Sequence, residues 1–136
     1  MAVNTRESAR STPTVLIVDD DAINLVVLEQ LLKRAGFGVV TATNGHDALA
    51  TLRNESIQLV MADINMPDMD GVELSRRIRS EMTDQKATLP ILAITAYNDA
   101  AEDERFREAG MTDVLHKPVP FDTLRSVVTR LTDSED

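Results

Sequence analysis

Short apolar runs alternate along this chain with longer segments in which apolar residues recur every third or fourth position. The short runs have the length and β-branched content of buried strands, and the longer segments have the spacing of amphipathic helices. Alternation of this kind is typical of a parallel sheet with helices on both faces. The pattern therefore predicts an α/β fold, a doubly wound five-stranded parallel sheet with five helices. The five runs are residues 15–18, 39–42, 59–62, 91–95 and 114–116.

Glycine and capping residues mark the ends of the predicted helices. Gly36 and Gly38 end the first, and Asn44 is placed to cap the second. The fourth helix is predicted over 99–109, with Phe106 as its main apolar anchor. Residues 80–89 are predicted to form a polar loop before the fourth strand.

Length and composition indicate one domain. The chain has 136 residues and a hydrophobic fraction of 43%, enough for a single core. Residues 1–13 lack apolar periodicity and are predicted to be a flexible leader; 14–132 form the domain, and 133–136 an acidic tail. No internal repeat is visible.

Charge and cysteine content exclude several classes of function. The formal net charge is −9, so the surface would repel nucleic acid, and no direct nucleic-acid partner is expected. The chain has no cysteine, which excludes disulfides, thiol nucleophiles and thiolate zinc sites. It also has no apolar stretch of membrane-spanning length, and its polar N-terminus is unlike a signal peptide. We expect a cytoplasmic protein with no membrane partner.

Polar side chains follow four of the predicted strands. Asp19, Asp20 and Asp21 follow the first, Asp63 the third, Thr95 ends the fourth and Lys117 follows the fifth. The carboxyl ends of parallel strands share one edge, so acids, a hydroxyl and an ammonium are predicted to converge there. Two carboxylates about 4 Å apart repel by roughly 4 kcal/mol at an effective dielectric of about 20, and a hard divalent cation would offset this. The pattern predicts a cation and phosphate site.

Simpler interpretations exist for each of these residues. The acids after the first strand could be a helix N-terminal cluster, Thr95 an ordinary strand residue and Lys117 a solvated loop lysine. For Asp68 and Asp70, capping or solvation is the favoured interpretation. We interpret His46 and His116 as ordinary surface or strand-end histidines.

Taken together, the residues resemble a known constellation. Over residues 14–131 the chain resembles the receiver domain of two-component response regulators. The resemblance rests on identity, order and strand context together. It is carried by Val18-Asp19-Asp20, by the stretch from Asp63 to Gly71, by Thr95-Ala96 and by Lys117-Pro118.

The resemblance implies a flavodoxin-like topology and a role for each acid. Asp63 is the implied phosphoacceptor, which receives a phosphoryl group from a phosphohistidine. The implied cofactor is Mg²⁺, for which Mn²⁺ could substitute. Its implied ligands are the carboxylates of Asp20 and Asp63 and the main-chain carbonyl of Asn65, with Asp19 acting through water. Asp21 lies outside this set and is expected to cap a helix or lie on the surface.

Lys117 and Thr95 complete the implied site. Lys117 would pair with phosphoryl oxygens, and Thr95 would move to hydrogen-bond one of them. Members of the family often have a cis peptide bond at the position of Pro118. The implied protein catalyses only its own phosphorylation and dephosphorylation, with no separate substrate.

Two positions depart from the family pattern. Many receivers have Tyr or Phe three residues before the lysine, where this chain has Val114, which has no ring to rotate. Tyr97, the only tyrosine, stands two residues after Thr95. Tyr97 and Asn65 are the positions expected to set the lifetime of the acyl phosphate.

The resemblance also implies partners. The phosphodonor would be a histidine kinase or a histidine phosphotransfer protein, and the residues from Asn24 to Leu32 resemble those of hybrid-kinase and phosphorelay receivers. A downstream protein would dock on helix 4, strand 5 and helix 5, around Phe106, Val114 and Phe121. We expect a monomer, with dimerisation on activation left open.

There are three rival hypotheses for the function. A dehalogenase-like phosphohydrolase also uses a strand-end Asp, magnesium, Thr and Lys, but normally has a second acid where this chain has Asn65, and a cap domain. A dinucleotide-binding module would need a Gly-rich loop where Asp19 to Asp21 stand. A receiver that signals without phosphorylation is favoured by nothing in the sequence.

Overall fold

A computed structural model describes residues 12–96 and 99–133, which form a five-stranded parallel sheet flanked by five α-helices. The strand order is β2-β1-β3-β4-β5, which confirms the predicted doubly wound, flavodoxin-like topology. The elements are β1 (Thr14–Val18), α1 (Ala22–Arg34), β2 (Gly38–Ala42), α2 (Gly45–Asn54), β3 (Leu59–Asp63), α3 (Gly71–Glu81), β4 (Ile91–Thr95), α4 (Ala100–Glu108), β5 (Asp113–His116) and α5 (Phe121–Thr132). Residues 1–11 of the predicted leader and 134–136 of the predicted tail lie outside the described residues.

Side-chain caps start four of the helices. Asp21, Asn44, Asp70 and Asp99 each accept a hydrogen bond from a backbone N–H in the first turn of α1, α2, α3 and α4, respectively. The capping roles predicted for Asn44, Asp21 and Asp70 are confirmed. Asp68 is exposed in the preceding turn with φ 68°, a left-handed conformation that aspartate tolerates.

The core lies in two layers, one on each face of the sheet. Leu16 and Val18 of β1 point into the layer under α2, α3 and α4, whereas Val15 and Ile17 point into the layer under α1 and α5. Because both faces are covered, the strands are apolar along most of their length. Polar groups of the strands are therefore concentrated at the carboxyl edge of the sheet.

The predicted polar loop after α3 contains a short 3-10 helix, Asp84–Thr88. The guanidinium of Arg79 lies under it and donates hydrogen bonds to the carbonyls of Ala87, Leu89 and Gly110, at 2.6 to 3.0 Å. Burial lowers the pKa of Arg79. Arg79 thus joins α3, the 3-10 helix and the α4–β5 turn at the amino edge of the sheet, opposite the predicted site.

One face of α1 is apolar and exposed. Ile23, Val26 and Val27 are 74%, 57% and 51% exposed, whereas Leu25 and Leu32 of the same helix are buried. The helical spacing predicted α1 itself, but it did not distinguish the covered positions from the exposed ones. Among the described residues, no helix is both long and apolar enough to cross a membrane.

Candidate functional site

Three carboxylates meet at the carboxyl edge of the sheet. One oxygen from each of Asp19, Asp20 and Asp63 lies within 4.8 Å of the other two. Asp19 is buried and Asp20 is exposed, with Asp63 between them in exposure. The cluster is therefore open to solvent on one side, where a ligand could enter.

Strand register brings these acids together. Val18 of β1 is paired with Ala62 of β3, so the next residues, Asp19 and Asp63, leave the sheet side by side. Asp19 is fixed further because its carboxylate accepts a hydrogen bond of 2.9 Å from the backbone N–H of Asp21. The acids are close together because they lie at the ends of adjacent parallel strands, as the sequence predicts.

Lys117 completes the cluster from the other side. Its Nζ lies 3.3 Å from Oδ1 of Asp63, and its backbone N–H donates a 2.8 Å hydrogen bond to the carbonyl of Thr95. The peptide bond between Lys117 and Pro118 is cis, as the resemblance implied. Thr95 is buried at the end of β4, paired in register with His116 of β5. The structure therefore gathers Asp19, Asp20, Asp63, Thr95 and Lys117 along the same edge of the sheet.

The electrostatics of the cluster favour a cation. Burial raises the pKa of Asp63, and the negative charge of Asp19 raises it further. Lys117 acts in the opposite direction through its charge and its hydrogen bond, and Asp20 adds a smaller upward shift. Clustered carboxylate oxygens are the ligands that a hard divalent cation such as Mg²⁺ prefers. The residues present therefore fit a magnesium ion.

The turn after Asp63 is tightly packed. A Cβ on Gly71 would lie 2.6 Å from the Asp63 carbonyl oxygen, so the chain can return past Asp63 only with glycine at this position. Met66 and Met69 are buried and anchor the turn, while Asn65 is exposed beside the cluster. The position of Asn65 two residues after Asp63 suits the predicted main-chain ligand.

Comparison with known proteins identifies the family. Residues 15–129 match the model of the response regulator receiver domain. This chain belongs to that family. It is 40% identical over 115 residues to the sensor histidine kinase RcsC of Escherichia coli, covering 85% of this chain and 12% of that protein. It is 34% identical over 116 residues to the transcriptional regulatory protein ZraR of Salmonella typhimurium, covering 85% of this chain and 25% of that protein. The receiver thus spans a small part of these curated relatives.

Solved receiver structures have the same fold. A putative response regulator from Chloroflexus aurantiacus is 33% identical with a TM-score of 0.84, over 90% of this chain and 99% of that one. The receiver domain of the sensor histidine kinase PA1611 from Pseudomonas aeruginosa is 27% identical with a TM-score of 0.82, over 91% of this chain and 100% of that one. The PA1611 structure has a magnesium ion coordinated in its active-site cleft.

The three residues named for the expected docking surface differ in their exposure. In this receiver Phe106 and Val114 are buried, and only Phe121 is partly exposed. Phe106 is part of the core beneath α4 and has no exposed surface, and Val114 of the same core is 8% exposed. The predicted modulator Tyr97 lies outside the described residues.

Two features near this site have little or no signal in the sequence. A groove of about 500 Å³ runs between α1 and the turn after β5, with Val27, Leu28 and Leu31 on one side. Lys117, Pro118 and Val119 line its other side, so the groove includes the lysine that contacts Asp63. The second feature is a 3.1 Å hydrogen bond between His116 and Asp103 of α4. In the sequence, the only signal for the groove is that α1 has more apolar residues than one buried stripe requires. The sequence contains no signal for the hydrogen bond.

Proposed function

We propose that this receiver accepts a phosphoryl group from a phosphohistidine onto Asp63 in a magnesium-dependent reaction. The observation that carries the proposal is the position of Asp63, with Lys117 Nζ at 3.3 Å on one side and Asp19 and Asp20 within 4.8 Å on the other. A nucleophile, a cation and a group of metal ligands are what phosphoryl transfer requires, because positioning and charge neutralisation dominate its barrier.

The proposed reaction uses one oxygen of the Asp63 carboxylate as nucleophile. This oxygen forms a bond to phosphorus, and the phosphorus–nitrogen bond of the phosphohistidine breaks, with its electron pair returning to the imidazole. Lys117 favours the ionised form of Asp63 beforehand and pairs with phosphoryl oxygens as they approach. With its ammonium near both the Asp63 carboxylate and the incoming phosphoryl oxygens, Lys117 would reduce the repulsion between these two negative groups.

The metal ligands proposed are Asp19, Asp20 and Asp63 with the main-chain carbonyl of Asn65, Asp19 acting through water. Bound Mg²⁺, or Mn²⁺ in its place, would neutralise charge on the phosphoryl oxygens. The magnesium in the related PA1611 receiver supports this choice of cofactor. The exposed Asn65 would also influence how water reaches the acyl phosphate.

Thr95 is the residue proposed to report phosphorylation. Its hydroxyl would hydrogen-bond a phosphoryl oxygen, and its carbonyl already accepts the backbone N–H of Lys117. Movement at Thr95 would therefore affect both β5 and the chain that leads into α4. Downstream signalling is proposed to use the surface of α4, β5 and α5, through its exposed side chains.

The exposed face of α1 is the surface proposed for the phosphodonor. A donor histidine must reach Asp63, and the exposed apolar residues Ile23, Val26 and Val27 belong to α1, which begins just after Asp19 and Asp20. The groove that ends at Lys117 and Val119 extends this surface. An apolar helix of a histidine kinase or phosphotransfer protein would suit both features.

The remaining parts of the proposal concern the whole domain. Residues 14–132 would act as a monomeric, cytoplasmic module that catalyses only its own phosphorylation and dephosphorylation. Dimerisation on activation stays open. The alternative function, a phosphohydrolase, is tested by an assay for the hydrolysis of aryl phosphates. A phosphohydrolase would convert many substrate molecules for each molecule of protein.

The phosphoacceptor assignment is tested by intact mass spectrometry after incubation with Mg²⁺ and acetyl phosphate or phosphoramidate. We expect one added phosphoryl group on the wild type and none on Asp63→Asn. Asp68→Asn is the matched control, because it removes an exposed acid from the same turn and should be labelled like the wild type. Equal labelling of Asp63→Asn, or labelling that a chelator does not reduce, would contradict the assignment.

A further inference from the structure

A hydrogen bond joins the first turns of α4 to the end of β5. Oδ1 of Asp103 lies 3.1 Å from Nε2 of His116, and the two side chains are 21% and 31% exposed. The ring nitrogen is the donor, since the carboxylate can only accept. The bond therefore links a helix proposed to contact partners with the sheet edge that contains the site.

The position of His116 gives this bond a route to the site. His116 is paired in register with Thr95, and the next residue, Lys117, contacts both the Thr95 carbonyl and the Asp63 carboxylate. The chain itself links Thr95 to α4 through residues 96–99. A closed loop of covalent and hydrogen-bonded links thus runs from Thr95 through α4 and Asp103 to His116 and back to Thr95.

We propose that Asp103 and His116 are positioning residues that couple α4 to the phosphorylation site. The inference rests on the proposed function of Asp63. At 3.1 Å the hydrogen bond tolerates little displacement of either partner. A shift of Thr95 toward a phosphoryl group moves both arms of the loop and weakens the bond.

The coupling has a predictable sign. A contact made in only one of two states biases the equilibrium toward that state. The Asp103–His116 bond therefore opposes the phosphoryl-bound arrangement. Loss of the bond should tighten binding of a phosphoryl analogue and should loosen α4 in the free protein.

The test is a titration of the full chain with Mg²⁺ and beryllofluoride, followed by backbone amide NMR. We expect Asp103→Ala and His116→Val each to bind the analogue about two- to ten-fold more tightly than the wild type, the range for one hydrogen bond. The double variant should bind no more tightly than either single variant, because both substitutions remove the same bond.

Two further variants separate coupling from general effects of substitution. Glu102→Ala removes an acid from the same turn, where its partner is Arg105 of α4 at 2.8 Å, and it should bind like the wild type. Asp103→Asn retains an oxygen acceptor and should stay near wild-type affinity. Additive effects of Asp103→Ala and His116→Val, or the same effect from Glu102→Ala, would overturn the coupling.

Amide exchange in the free protein keeps this result separate from the proposed function. The first turns of α4 should exchange faster in Asp103→Ala and His116→Val than in Glu102→Ala. Unchanged exchange would overturn the inference even if Asp63 is phosphorylated. Failure of the wild type to bind beryllofluoride, with faster exchange in both variants, would instead contradict the proposed function and leave the structural link supported.

Discussion

Replacement of Asp63 by asparagine should make the metal-free protein more stable at neutral pH. At an effective dielectric of about 20, the 3.3 Å pair with Lys117 is worth about 5 kcal/mol of attraction. Repulsion from Asp19 and Asp20, each within 4.8 Å, is about 3.5 kcal/mol for each pair. The net repulsion is about 2 kcal/mol before the penalty for burying the charge, and solvent around the exposed Asp20 reduces it. We expect Asp63→Asn to raise the free energy of unfolding by about 1 to 2 kcal/mol.

The pH dependence of this difference follows from the raised pKa of Asp63. The charged carboxyl is penalised in the folded state, so the penalty is fully present above the folded pKa. It declines as the pH falls through the folded pKa and is absent below the ordinary value of 3.8, where both states are protonated. The advantage of Asp63→Asn should therefore shrink on acidification.

Urea unfolding in the presence of a chelator measures this difference. Far-UV circular dichroism is a suitable probe because the chain has no tryptophan. Wild type and Asp63→Asn should be compared from neutral pH down to about pH 4. A less stable Asp63→Asn at neutral pH, or an advantage that does not decline with pH, would refute the electrostatic reasoning.

Three further predictions concern the metal and the two edges of the sheet. Magnesium at about 100 times its dissociation constant should stabilise the wild type by roughly 2.7 kcal/mol, and Asp20→Ala should lose most of this shift in a thermal melt. Gly71→Ala should lower the free energy of unfolding by about 1 to 3 kcal/mol, because its Cβ would meet the Asp63 carbonyl oxygen at 2.6 Å; wild-type stability would contradict the close approach. Arg79→Met should lower it by about 2 kcal/mol or more and leave the magnesium shift unchanged, whereas the exposed Arg76→Met should have little effect on either measurement.

Strand ends were the part of the site that the sequence predicted well. In a parallel sheet the positions of Asp19, Asp63, Thr95 and Lys117 along the chain determine their position in space, because each ends a strand or directly follows one. That these residues lie close together could therefore be inferred from the strand pattern and the family resemblance. The apolar faces of the strands set the register of the sheet, and the register determines which strand ends lie side by side.

Features that depend on contacts between distant side chains were not predictable in the same way. The Asp103–His116 bond joins a helix to a strand, and no local pattern marks either residue. Nothing in the sequence around Arg79 indicates that its guanidinium donates hydrogen bonds to carbonyls of two other segments. Helical spacing likewise could not show that Ile23 and Val26 lie outside the core, since covered and exposed apolar positions share the same chemistry.

The direction of α5 has a mechanical consequence for this receiver. β1 begins at Thr14 on the amino edge of the sheet, and α5 runs back against the strands to end at Thr132 on that same side. The two ends of the folded domain thus leave from the side opposite Asp63. A tether attached at either end would act as a pivot behind the domain, and the edge that contains the proposed phosphoacceptor could swing toward a donor histidine without any linker crossing its path.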